Sequence, residues 1–264
     1  MFGTIARRYD FLNHFLSAGT DVYWRRRTVR CTDPEIDGPI LDVCTGTGDL
    51  AIALGRRFGD RRRVIGSDFT HEMLTIAGKK AARNGLAGTV ATGVAFVEAD
   101  AQSLPFPDGT FSLVTVAFGL RNVSDTRQGL REMARVCRPD GEVFVLEFSQ
   151  PRNPVLGGIY GWYFRNVLPR VGQWLARNPE SAYEYLPKSV GEFPSGQALA
   201  DLMETCGLTD VRYTPLTFGV ATLYRGRKPE PTDEPSRNHA ADSSREERTI
   251  AEASPFAPRK GTLS

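Results

Sequence analysis

From residue 40 to residue 148, short apolar runs alternate with stretches of helical period. Ile40, Leu41 and Val43 predict a strand, and Gly46 and Gly48 punctuate it. Leu50, Ala51, Ala53, Leu54 and Phe58 then recur at helical spacing as far as Gly59. Val64-Ile65-Gly66 is a second run, closed by Asp68. Thr70 stands where an N-cap would, ahead of a helix from His71 to about Asn84 with Met73, Leu74, Ala77 and Ala81 on its apolar side. Val94–Glu98 is a third strand and Phe111–Ala117 a fourth. Residues 126–137 form a helix, and Arg138-Pro139-Asp140-Gly141 turns the chain into a strand from Val143 to Phe148. Strands alternating with helices argue for a doubly wound α/β parallel sheet, with ligands at the carboxyl ends of its strands. Ser195–Cys206 reads as one more helix; Val211–Pro215 and Val220–Arg225 read as an antiparallel hairpin, bringing the strands to seven.

Outside this frame the pattern changes. Residues 1–30 set Phe2, Ile5, Tyr9, Phe11, Leu12, Phe15 and Leu16 at roughly helical spacing among many arginines. Such a segment packs on the core with a solvated basic face, or forms a lid that also meets an anionic lipid surface. Residues 151–195 are rich in aromatic and basic side chains; they read as helices packed over the sheet's carboxyl edge, or as an apolar cover for a greasy substrate. Residues 229–264 hold proline, serine and charge with almost no apolar period, and are expected to be a disordered tail. Arg61–Arg63 reads as a solvated turn rather than a binding patch.

Composition adds mostly exclusions. A net charge of +2 gives no global pull toward nucleic acid. Four scattered cysteines and three histidines, with no CxxC pair, argue against a metal site and suit a reducing cytoplasm. No signal peptide and no apolar run of membrane-spanning length is legible.

The candidate chemistry gathers at the predicted strand ends. Glycines at 46 and 48 let the backbone turn tightly and approach a ligand, while the new helix aims unpaired N–H groups at it. Asp68, at the end of the second strand, suits a ribose diol. Gly46-x-Gly48-x-x-Ala51 also fits a loose dinucleotide fingerprint, so a nicotinamide cofactor competes with S-adenosylmethionine. The rest of the constellation favours S-adenosylmethionine. The loop Cys44–Asp49 suits its methionine part, and Asp100 with the Ala101 backbone suits an adenine edge. Ala117 and Phe118 would line the methyl donor, and no convincing hydride-transfer set is present.

On these segments the chain resembles the C-methyltransferase family of menaquinone and ubiquinone biosynthesis. The resemblance runs from about residue 1 to 228. It is carried by Tyr9-Asp10-x-Leu12-Asn13 through Trp24, by Gly46-Thr47-Gly48-Asp49, and by Phe118-Gly119-Leu120-Arg121-Asn122-Val123. Arg135 to Ser149, Tyr185-Leu186-Pro187, Phe193-Pro194 and Leu216-Thr217-x-Gly219-Val220-Ala221 extend it. The resemblance implies a class I S-adenosylmethionine-dependent methyltransferase fold, Rossmann-like and seven-stranded with helical lid segments. It implies cofactor contacts at Thr47, Asp68, Asp100, Ala101 and position 117, beside the loop glycines Gly46 and Gly48. It implies methyl transfer to a ring carbon of demethylmenaquinol, or of a prenylated benzoquinol. A methyltransferase acting on another small lipid or phenol and a non-catalytic S-adenosylmethionine-binding module are the other readings.

Arg121 is the candidate for holding a developing phenolate, with Tyr9 and Asn122 in its hydrogen-bond network; the alternative is an ion pair bracing the lid. His14 is a candidate general base or a structural side chain, and His71 is expected at the surface. The expected partners are a prenylated quinol, a transient peripheral contact at the inner face of the cell membrane and a second copy of the chain, with no nucleic acid. The departures are Ala117 where the family usually has serine, Cys137 and Asp140 for an aliphatic residue and a glycine, and Asp21 and Leu12 for a histidine and a methionine. Thr222 and Tyr224 stand where alanine and histidine are usual. The chain opens at the family's internal Met-Phe, which leaves a misplaced start at Met1 open.

Overall fold

A computed structural model of the chain describes residues 19–33, 37–88, 93–149, 191 and 193–230. Among them seven strands form a single sheet: β1 (Ile40–Val43), β2 (Val64–Asp68), β3 (Val94–Glu98), β4 (Phe111–Ala117), β5 (Cys137–Phe148), β6 (Thr209–Leu216) and β7 (Ala221–Arg227). Their spatial order is β3-β2-β1-β4-β5-β7-β6. The first five are parallel; β7 runs antiparallel to both β5 and β6. The helices are α1 (Thr20–Cys31), α2 (Asp49–Phe58), α3 (His71–Arg83), α4 (Thr126–Val136) and α5 (Gln197–Thr205).

The central strands are mostly apolar because both faces of the sheet are covered. Alternate residues of one strand serve two different cores. Ile40, Leu113, Phe144 and Leu146 pack with Trp24 of α1 and Leu50, Leu54 and Phe58 of α2. Leu41, Val43, Val114, Val116, Val143 and Val145 pack with Leu130 and Met133 of α4 and Leu199 and Met203 of α5. β1 pairs with β2 on one side and β4 on the other, with Val43 level with both Ser67 and Val116. The chain order reverses there, so a crevice opens beyond the ends of β1 and β4.

The N-terminal basic segment is described from α1 onward. Its inner side is anchored by Trp24, fully buried, whose ring centroid lies 5.8 Å from those of Phe118 and Phe148. Trp24 Nε1 donates to Thr217 Oγ1 at 2.7 Å, tying α1 to the turn between β6 and β7. The remainder of the expected lid, residues 1–18, lies outside the described residues. So do most of the expected cover at 151–195 and the tail from 231 onward.

Several local expectations shift. Thr70 occupies the N-cap position of α3, but its side chain makes no cap bond. Arg138–Gly141 does not separate helix from strand: α4 passes directly into β5, and the irregularity is absorbed as a register shift opposite Phe111–Leu113. The Arg61–Arg63 turn is not wholly solvated, because Arg62 is 8% exposed and its guanidinium lies over the Phe58 ring at 4.6 Å. The final hairpin is longer than its apolar run because pairing carries it into polar residues at Thr209 and Arg227.

Candidate active site

Four strand ends converge on a cavity of about 300 Å³, within the range of small-molecule sites. β1 leads into Cys44–Thr47, β2 ends in Asp68–Thr70, β3 leads to Ala99–Gln102, and β4 continues through Ala117–Gly119 to Asn122. Two non-glycine residues at these turns adopt left-handed backbone, Cys44 with φ 51° and Phe118 with φ 59°. Strain of this kind persists only where surrounding packing imposes it. Gly119 shows the source: a Cβ there would collide with the Cβ of Cys44, so the β1 and β4 turns meet in direct contact.

Asp68 fastens the glycine turn. Its Oδ2 accepts the Gly46 N–H and its Oδ1 the Thr70 N–H, both at 2.8 Å. The carboxylate is thus oriented at the cavity edge by backbone from two loops. Asp100 is held in the same manner, its Oδ1 accepting the Gln102 N–H at 2.9 Å. Lys80 of α3 crosses to the glycine turn, donating to Thr47 Oγ1 at 2.7 Å and pairing with Asp49 at 2.6 Å. Arg25 of α1 reaches the cavity from the other side. It pairs with Asp21 at 2.5 Å, approaches Asp49 at 3.7 Å, and lies 5.8 Å from the Phe118 ring centroid.

Asp42 stands on the cavity wall within β1, 1% exposed. Burial pushes its carboxyl up to about 6, against the opposing pull of hydrogen bonds from Thr45 and Thr115. Those hydroxyls donate to it at 2.6 and 2.7 Å. Burial, reinforced by the negative charge of Asp68 and Asp42, also raises the Cys44 thiol far above its ordinary range, so it stays protonated.

Of the residues expected from sequence, Gly46, Thr47, Asp68, Asp100, Ala101, Ala117 and Asn122 all line the cavity. Gly48 does not. It caps α2 with φ 82°, and a Cβ there would lie 2.9 Å from Phe96 and 3.0 Å from Ala77, so it serves helix–strand packing. Arg121 is also off the wall. Its Nη1 donates to the Phe118 carbonyl at 2.6 Å and pairs with Glu147 at 2.9 Å, each side chain 1% exposed. This ion pair ties the turn to β5 of the sheet; burial behind the turn directs the guanidinium toward the interior. Tyr9 and His14 lie outside the described residues, and His71 is at the surface as expected.

Sequence reasoning missed Arg25, Asp42, Lys80 and Glu147. Two had a signal: Asp42 and Glu147 are lone acids inside otherwise apolar strands, which demands a partner for each. Lys80 shares the inward stripe of Met73 and Ala77.

The donor set fits S-adenosylmethionine. Carboxylates at Asp68 and Asp100, with Asp42 in the wall behind them, give the cavity a negative lining suited to a sulfonium and an ammonium group. Among the described residues no group of side chains could hold a metal ion.

Comparison with known proteins agrees. The chain is similar to a solved S-adenosylmethionine-dependent methyltransferase from Thermotoga maritima, with TM-score 0.60 and 21% identity over 86% of this chain and 98% of that one. It is also similar to one from Aquifex aeolicus, with TM-score 0.56 and 17% identity over 79% and 91%. At these identities the likeness shows the shared class I fold. Sequence relatives go further. The chain is 47% identical to the demethylmenaquinone methyltransferase of Thermus thermophilus, over 87% of this chain and 100% of that one. It is 45% identical to the ubiquinone/menaquinone biosynthesis C-methyltransferase UbiE of Geobacter sulfurreducens, over 86% and 87%. The family model for ubiE/COQ5 methyltransferases matches residues 1–228. The chain belongs to the ubiE/COQ5 methyltransferase family.

Proposed function

We propose that this S-adenosylmethionine-dependent C-methyltransferase acts on demethylmenaquinol, methylating a ring carbon to give menaquinol. The observation that carries the reading is the likeness to the Thermus thermophilus demethylmenaquinone methyltransferase along that relative's whole length. When bound, S-adenosylmethionine supplies an electrophilic methyl group, which becomes the new C–CH₃ bond as its sulfonium becomes a thioether.

The chain's residues hold and orient. Asp68 takes the ribose diol, Asp100 and the Ala101 backbone take the adenine edge, and Thr47 and the Gly46 turn take the methionine part. Ala117, Phe118 and Asn122 stand where the reacting carbon must arrive. For that carbon to become nucleophilic, the phenol beside it loses its proton, and after methyl transfer the ring carbon loses its own. Stabilising the phenolate and excluding water are therefore the enzyme's main tasks. Arg121, its charge balanced by Glu147, fixes the Phe118 turn through its carbonyl and so positions the groups that face the acceptor. Asn122 faces the cavity, and Tyr9 completes the hydrogen-bond network we assign to the acceptor.

A prenylated acceptor resides in a bilayer, so we place the enzyme in the cytoplasm in transient peripheral contact with the membrane. Among the described residues no helix is long and apolar enough to cross one. The chain works without nucleic acid and self-associates as a homodimer in this reading.

The test is incubation of the full chain with labelled S-adenosylmethionine and chemically reduced demethylmenaquinone, with mass analysis of the extracted quinone. The expected result is a gain of one methyl. Cofactor binding with no product from the naphthoquinol overturns this acceptor; a methylated benzoquinol would then assign the ubiquinone branch. Binding with no product from either leaves a non-catalytic module.

A further inference from the structure

Helix α1 has two functional faces. Its inner face carries buried Trp24, Thr28 and Val29, and Arg25 on the cavity wall. Its outer face carries Tyr23, 53% exposed, with Arg26, Arg27 and Arg30, all exposed. At 100° per residue these four side chains fall within one third of the helix circumference. With Gly19 and Val22 they border a shallow groove of about 280 Å³.

The charge on the two faces is handled differently. Arg25 is neutralised by Asp21 and Asp49. Among the described residues no carboxylate pairs with Arg26, Arg27 or Arg30. Among the described residues, three guanidinium groups without a carboxylate partner therefore project together, in a chain whose net charge is only +2. A tyrosine among them supplies an amphipathic ring of the kind that settles at headgroup level.

We propose that this outer face of α1 is a docking surface for an anionic lipid bilayer. The occupant follows from charge complementarity and from the acceptor, and the inference rests on the quinol reading in that respect. Arginine binds phosphate through its planar fork, and a bilayer offers phosphates side by side, matching a row of guanidinium groups. The same helix forms a wall of the cavity, so the lipid surface would lie one helix diameter, about 10 Å, from the site. A quinol ring can then pass from bilayer to cavity while its prenyl chain stays in lipid. The attraction is electrostatic, hence reversible and weakened by salt.

The experiment is co-sedimentation of the full chain with phosphatidylglycerol–phosphatidylcholine vesicles and with pure phosphatidylcholine vesicles, across a salt series. The expected result is binding to the anionic vesicles alone, falling as salt rises. In the charge-reversed variant R26E/R27E/R30E binding should fall at least about 100-fold, since each basic residue at a membrane surface contributes roughly fivefold. The milder R26Q/R27Q/R30Q should fall between. Both variants should keep the parent's melting temperature and its methyl transfer to a quinol with a truncated, water-soluble side chain. Parent binding to neutral vesicles as tight as to anionic ones, or undiminished binding by both variants, overturns the proposal. So does release from anionic vesicles by inorganic phosphate at an ionic strength where chloride is ineffective, which would assign the groove to a free anion. Vesicle binding without methylation of any quinol would sink the acceptor reading and leave the lipid surface standing.

Discussion

Arg121 and Glu147 form a buried ion pair at 2.9 Å directly behind the turn that walls the cavity. Glu147 also accepts the Phe148 N–H at 3.0 Å, while Arg121 donates to the Phe118 carbonyl and lies over the Phe148 ring. Removing either charge alone strands the other in a low dielectric, at a cost of about 3–5 kcal/mol. Arg121→Ala and Glu147→Ala should each lose stability of that order in urea unfolding. The paired apolar replacement Arg121→Met with Glu147→Leu should recover most of the stability but not kcat. Full activity in that double variant would reduce Arg121 to a structural brace.

Asp68 joins two loops through backbone N–H groups at Gly46 and Thr70. Asp68→Asn can present only one acceptor and sets an amide N–H against a donor. A hydrogen bond to a charged group contributes about 1.5–3 kcal/mol, so cofactor affinity should fall by roughly 10- to 100-fold in calorimetry. The melting temperature should drop only modestly, since Asp68 sits at the cavity rim. Unchanged affinity would remove it from the cofactor site.

Asp42 makes stability depend on pH in an identifiable direction. Burial holds its carboxyl at about 6 in the folded chain, against an ordinary 3.8, so the native state binds the proton more tightly. Its stabilising share is fully present below 3.8 and is lost as pH rises through about 6. Between pH 4 and 7 the parent should therefore lose up to about 3 kcal/mol that Asp42→Asn does not lose. Urea titrations of the two proteins at a series of pH values give this difference directly. Parallel profiles would show that Asp42 does not titrate in that window.

The sheet was legible in sequence because strands buried on both faces must be apolar, and α2, α3 and α4 must show one apolar side. Asp49, Asp68 and Asp100 were legible because strand ends are where this topology places ligands; Asp42, inside β1, was not. The partners of Arg25 and Arg121 were not, because a long cation reaches its partner across the fold rather than along the chain. Arg25 finds Asp49 from α1, and Arg121 finds Glu147 across β4 and β5. The family departures at the hairpin turn out to be interior packing. Thr222 Oγ1 meets Ser149 Oγ at 2.8 Å, and the Tyr224 hydroxyl accepts the Gly196 N–H at 2.7 Å.

Asp140 stands where the family's glycine is usual, and its φ of 60° shows why glycine belongs there. An L side chain in this region costs about 1 kcal/mol, less for aspartate than for most. Its ion pair with Arg227 at 3.7 Å, with both side chains 57% exposed, offsets little of that cost. Asp140→Gly should leave turnover unchanged and raise stability by up to about 1 kcal/mol. A lower melting temperature would mean that the strained residue gains more from its surroundings than its backbone loses.

The contact between the β1 and β4 turns permits a paired test. Gly119→Ala should push these loops apart, because the new Cβ collides with the Cβ of Cys44. Overpacking of this kind costs about 1–3 kcal/mol, and here it falls on the cavity's own wall, so cofactor affinity should drop with stability. Cys44→Gly removes the opposing Cβ and suits the left-handed φ of 51° at that position. Combined with Gly119→Ala, it leaves the Cys44 carbonyl oxygen at 3.3 Å as the nearest neighbour, a distance small shifts can relieve. The double variant should therefore bind cofactor better than Gly119→Ala alone. If the two losses simply add, the turns do not touch as described.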